Sequence, residues 1–223
     1  MMSFSEQLRQ RAAQIWEASA GHPFVRGIGD GSLPVERFRF YICQDYVFLI
    51  EFSRVLALGA ARATDLEAMS HYAALLDATL NGEMELHRGY CTRFGISRSD
   101  LEVTRAAPVT HAYTRHLLHT GQSGSVGEIT ASLIPCQRGY AEIGLALAAQ
   151  GEPASQPLYG EWIGAYAAPE MQELAVWSCG LLDRLAAAAG DDERTRMTEA
   201  FLTSSRYEYL FWQMAWNLED WPV

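Results

Sequence analysis

The stretch from Val35 to about Ala61 sets Phe38, Tyr41, Ile42, Phe48, Leu49 and Phe52 at the i, i+3, i+4, i+7 spacing of one helical face. A helix that long with an aromatic stripe has to lay that stripe against other elements. Only more helices are available to meet it, because no strand-like alternation survives along the chain. Ser5 to Ala18 reads as a first helix, stopped near Gly21-His22-Pro23, with a turn over Gly27–Pro34. Thr64 to about Phe94 is another long helix, with Asp65 and Glu67 in its first turn and Gly95 as its stop. Thr110 to Leu118 follows Pro108, and a glycine-rich loop, Gly121–Gly127, comes next. Val126–Ala149, ended by Gly151-Glu152-Pro153, then Tyr159–Tyr166, Pro169–Ala189 and Glu193 to about Asn217 complete the set. About eight helices with short connections and no dividing linker predict one all-α bundle over residues 1–223.

Composition agrees and narrows the function. The chain is 49% hydrophobic and 11% aromatic, enough to fill a large core. Its net charge is −10, from 17 basic and 27 acidic residues, and it contains no lysine. A nucleic-acid partner would want a clustered basic face, which is missing. The four cysteines, Cys43, Cys91, Cys136 and Cys179, show neither metal-finger spacing nor a disulfide framework. The first residues lack a basic region followed by an apolar core, and no apolar run approaches the roughly 20 residues of a membrane span. These features lead us to expect a cytoplasmic protein with reduced thiols.

Three polar groups sit where polarity is costly. Cys136, in Leu133-Ile134-Pro135-Cys136-Gln137-Arg138-Gly139-Tyr140, has a tyrosine four residues on, so thiol and phenol share a helix face. A phenol there could support a reactive thiolate; equally, a free cysteine often only packs. Asp45 interrupts the apolar stripe and needs a partner or a ligand, one of the arginines being the plain structural choice. Glu208 lies in Arg206-Tyr207-Glu208-Tyr209-Leu210-Phe211-Trp212, where desolvation would raise its pKa towards the range of acid–base catalysis. Its structural alternatives are ion pairs with Arg206 or Arg138. Two such acids and a thiol suggest a pocket within the core.

A di-iron site would need two Glu-x-x-His helices, and Glu83-Met84-Glu85-Leu86-His87 is the nearest approach. No histidine follows His119, which argues against it. The Gly121–Gly127 segment has no phosphate-binding lysine.

Tyr41-Ile42-Cys43-Gln44-Asp45, Leu133-Ile134-Pro135-Cys136 and Thr203–Trp212, in that order, resemble the TenA/thiaminase II family, and the likeness runs nearly end to end. Ala112–Leu117 and Tyr159–Tyr166 support it. The resemblance implies a haem-oxygenase-like bundle that hydrolyses the C–N bond on the exocyclic methylene of a thiamin-derived aminopyrimidine. It yields the hydroxymethylpyrimidine of thiamin salvage, and thiamin itself can be cleaved. By the same resemblance Cys136 is the nucleophile, Glu208 the acid–base carboxylate and Asp45 the substrate-orienting acid. Tyr113, Tyr140 and Tyr166 are then pocket tyrosines, no metal or organic cofactor is used, and the assembly is a homotetramer. One position departs from the pattern: Phe48 stands where members often carry a tyrosine whose hydroxyl supports the thiolate. Two rivals stay open at this point. One is a regulatory or pyrimidine-binding protein, against which the acidic charge speaks where DNA is concerned. The other is a haem- or iron-dependent oxygenase on the same bundle.

Overall fold

The computed structural model describes residues 2–151, 153 and 156–223. It is built from helices α1 (Phe4–Arg11), α2 (Ala13–Ala20), α3 (Pro23–Asp30), α4 (Val35–Arg62), α5 (Leu66–Ala78) and α6 (Met84–Arg93), with a π-helical turn at Thr79–Glu83 between the last two. Then come α7 (Arg98–Glu102), α8 (Pro108–Ser123), α9 (Val126–Ala148), α10 (Pro157–Ala167), α11 (Pro169–Ala188) and α12 (Asp191–Asn217). No strand occurs among the described residues.

Local chemistry explains the boundaries. Ser125 accepts from the Glu128 amide while the Glu128 carboxylate reaches back to the Ser125 amide, a capping box that starts α9. Asp65 caps α5 through the Ala68 amide at 2.8 Å. Prolines open α3, α8, α10 and α11, where a missing amide donor costs nothing. Gly31 ends α3 at φ +78°, a conformation open to glycine.

The twelve α-helices among the described residues exceed the roughly eight expected, for identifiable reasons. The first predicted helix breaks at Ala12, and the first half of the expected Gly27–Pro34 turn belongs to α3, whose apolar residues Phe24, Val25 and Ile28 are buried. The short α7 has no apolar period to announce it. The expected 64–94 helix is interrupted by the π turn, and most of the expected Gly121–Gly127 loop is helical, only Gly124 and Ser125 falling between α8 and α9. Of the stop at Gly151-Glu152-Pro153, Gly151 has φ +95° and Glu152 lies outside the described residues.

α9 is the central element. Its faces are covered by α12, α11 and α10, while α4 packs against α5, α6 and α8. The larger core cluster, rich in Tyr, Trp and Phe, joins α4, α9, α10 and the C-terminal half of α12. A smaller one lies beneath α1 and α2, between α9, α11 and α12. At Gly144 a Cβ would stand 2.5 Å from the Tyr166 carbonyl carbon, so α9 and α10 meet backbone to backbone there. That close approach seats Tyr166 beside Tyr140, with ring centroids 4.8 Å apart.

Candidate active site

Between α4, α5, the π turn, α9, α10 and α11 lies a narrow cavity of about 50 Å³. Asp45, Phe48, Glu83, Cys136, Tyr140 and Tyr166 all line it. Five of the seven residues expected at the site therefore meet in one space. The other two lie just behind: Glu208 is buried and accepts a 2.5 Å hydrogen bond from the Tyr113 hydroxyl. Glu208 and Tyr140 also face a second cavity, of about 200 Å³, that runs outward past Trp16 to Arg9 and Glu142.

Asp45 does not pair with an arginine. Its carboxylate faces His87 Nε2 at 2.7 Å, and His87 Nδ1 lies 2.9 Å from the Glu83 carbonyl oxygen. A carbonyl oxygen only accepts, so Nδ1 carries a proton, and Nε2 donates to the carboxylate. Both ring nitrogens then act as donors, which is the imidazolium form. Burial alone pushes the His87 pKa down, but the Asp45 hydrogen bond and the Asp45 and Glu83 charges outweigh it, and the net shift is upward. Tyr41 adds a hydroxyl 3.3 Å from the same Asp45 oxygen and itself accepts from Trp162 Nε1 at 3.3 Å.

Glu208 also escapes its arginine alternatives. Arg138 pairs with Glu6 and Glu142, each at 2.7 Å, and Arg206 is exposed. Burial pushes the Glu208 carboxyl up to about 8, the Tyr113 hydrogen bond pulling the other way and the Asp45 charge adding to the rise. Glu208 is thus a carboxylic acid, not a carboxylate, through most of the neutral range.

The electrostatics of Cys136 are the reverse of those expected for a resting thiolate. Burial, then the Glu208, Glu83 and Asp45 charges, push the thiol well up. The phenol one turn on gives no relief: the Tyr140 hydroxyl lies 3.5 Å from that of Tyr41, and no hydrogen bond joins it to the sulfur. Cys136 therefore rests as a thiol.

Two residues of the site went unassigned in the sequence. His87 entered only as a candidate iron ligand, and Glu83 only as its carboxylate neighbour. The carboxyl of Glu83 accepts from the Tyr166 hydroxyl at 2.9 Å, and its pKa is raised by burial and by Asp45. Asp45 and His87 meet across 42 residues of sequence, so no local pattern links them. The π turn, a feature that often marks functional sites, left no trace in the helical period.

A model of the TENA/THI-4/PQQC family matches residues 9–218. The chain belongs to that family. It is 45% identical to an aminopyrimidine aminohydrolase of Halalkalibacterium halodurans, over 99% of this chain and 98% of that one. A protein of the same name from Bacillus subtilis is 39% identical over 99% and 92% of the two chains. Among solved structures, a TenA homologue from P. horikoshii OT3 superposes with a TM-score of 0.88 at 28% identity, covering 97% of this chain and 99% of that one. At 16% identity, a Shewanella denitrificans domain with a haem-oxygenase-like fold still reaches a TM-score of 0.75, over 96% and 92%. The fold is therefore the all-α haem-oxygenase-like bundle. No helix among the described residues is long and apolar enough to cross a membrane.

Proposed function

We propose that this protein is an aminopyrimidine aminohydrolase of thiamin salvage, of the family's cysteine-containing branch. In this reading it converts 4-amino-5-aminomethyl-2-methylpyrimidine and water to the hydroxymethylpyrimidine and ammonia, and can cleave thiamin. The observation that carries the proposal is one cavity holding a thiol and a paired, oriented carboxylate, with a carboxylic acid kept protonated directly behind.

Asp45, fixed by His87, accepts from the ring amino group and orients the pyrimidine. Tyr140, Tyr166 and Phe48 supply aromatic walls. Glu208 gives its proton to a ring nitrogen as the Cys136 sulfur bonds to the adjacent ring carbon, and it recovers the proton that leaves the thiol. Neither partner has to be charged beforehand, which suits a cavity where ions are poorly solvated. Electrons from the ring amino group then expel the substituent from the methylene carbon. Water adds there, the sulfur departs, and the aromatic ring is restored. Covalent addition divides one hard displacement into easier steps.

The deciding experiment measures ammonia release from the aminopyrimidine by the wild type, Cys136→Ala and Glu208→Gln. Turnover by the wild type with loss of about 10²-fold or more in both variants is expected. Full activity in Cys136→Ala would overturn the mechanism, and binding without turnover by the wild type would favour a regulatory role. A homotetrameric, cytoplasmic enzyme is the accompanying expectation, the former checked by light scattering in solution.

A further inference from the structure

Glu83 occupies a position that the mechanism above leaves unused. It is the last residue of the π turn, lines the Cys136 cavity, and also lines the wider groove of about 300 Å³ that continues from that cavity to the surface. The two spaces share Leu75, Thr79, Glu83, Tyr166, Met171 and Leu174, so Glu83 stands at the neck between them. Its carboxyl is held by the Tyr166 hydroxyl at 2.9 Å. The other two acids of the site are engaged elsewhere: Asp45 with His87 at 2.7 Å, Glu208 with Tyr113 at 2.5 Å.

The chemistry leaves one proton unassigned. When the C–N bond of the aminomethyl group breaks, the electron pair goes to nitrogen. An uncharged amine would then leave as an amide anion unless a proton reaches it. Glu208 is committed to the ring nitrogen, and Asp45 to the ring amino group. We propose that Glu83 is the proton donor to the departing amine. Its carboxylic acid gives a proton to the amine nitrogen as the bond breaks, ammonia leaves through the groove, and the carboxylate takes a proton from the water that adds to the methylene carbon. The cycle closes with one water consumed and one ammonia released. Tyr166 is a positioning residue that holds the Glu83 carboxyl at the neck.

The inference rests on the proposed aminopyrimidine hydrolysis and makes a claim that the other residues do not. The thiazolium nitrogen of thiamin is quaternary and leaves as a neutral thiazole, so its departure needs no proton. Glu83→Gln, which keeps the shape and an acceptor for Tyr166, should therefore depress ammonia release from the aminopyrimidine far more than it depresses thiamin cleavage. The expected result is a rise of about 10²-fold in the ratio of the two kcat values, within the usual span of general acid catalysis. An unchanged ratio, whether both rates fall together or neither falls, overturns the role of Glu83 while leaving the hydrolase reading intact. No ammonia from the wild type overturns both.

A leaving-group series on the wild type gives an independent readout should the variant fold poorly or thiamin be a poor substrate. Aminopyrimidines carrying aliphatic amines and anilines of falling basicity should turn over at rates that change less than about tenfold across the series, because the donor assists the basic amines most. A steep increase towards the least basic amine, as unassisted departure requires, would count against Glu83.

Discussion

Burial decides the behaviour of the individual side chains at this site more than their residue type does. Glu208 is an acid because it is buried, and its pH dependence follows. Its folded pKa of about 8 lies above the ordinary carboxylate value of 4.5, so the native state binds the extra proton between those limits. Stability associated with this group is complete below about pH 4.5 and is lost as pH rises towards 8 and through it. Urea midpoints of the wild type should therefore fall relative to those of Glu208→Gln between pH 6 and pH 8.5; parallel midpoints would contradict the assignment. Turnover should decline in the same direction, since the proposed mechanism needs this acid protonated, and a kcat profile still rising beyond about pH 9 would exclude that role. Phe48 makes a second test. Its ring is buried, 5.0 Å from that of Tyr113, and faces the cavity without a hydroxyl. Cys136 has no cationic partner, so Phe48→Tyr is expected to raise turnover at saturating aminopyrimidine by a few-fold; an unchanged or lower kcat would show that a phenol there gives the thiol no help.

At the scale of elements, the site depends on where α9 and α10 cross. Adding a methyl group at Gly144 would meet the Tyr166 and Ala167 backbone, which can only yield by moving α10. At Gly127, in the same helix, the obstruction is the end of the Met197 side chain, which can turn aside. Gly144→Ala should therefore cost about 1–3 kcal/mol of stability and lower kcat through the displaced Tyr166, whereas Gly127→Ala should cost less and leave kcat near wild type. Denaturant titrations with steady-state kinetics separate the two, and equal effects would disprove the backbone argument. Amphipathic period located the long helices α4, α9, α11 and α12 to within a few residues. It missed α7, which has a single turn of sequence to work with, and it ran straight through the π turn, because one extra backbone residue hardly alters the spacing of apolar side chains.

In the molecule as a whole, the smaller cluster around Leu8, Trp16, Ile134 and Phe201 supports the bundle without lining the Cys136 cavity. Leu8 is fully buried on α1 and does not line that cavity. Leu8→Ala should destabilise the protein by about 2–5 kcal/mol and leave KM for the aminopyrimidine unchanged. A raised KM with little loss of stability would mean that this cluster reports directly on the site.

Residue order alone determined the all-α class and the central helices, and it singled out Asp45, Cys136, Tyr140 and Glu208, because apolar periodicity and polar intrusions upon it are local properties of a chain; Tyr166 was reached only through the family resemblance. The partners of those residues were decided by tertiary structure. Asp45 found His87 in place of an arginine, and Glu208 found the Tyr113 hydroxyl. Cys136 found three acids and no base that would hold it as a thiolate. Charge state in a low-dielectric cavity depends on what lies within a few ångströms in space, and contacts separated by 42 or 95 residues leave no period to read.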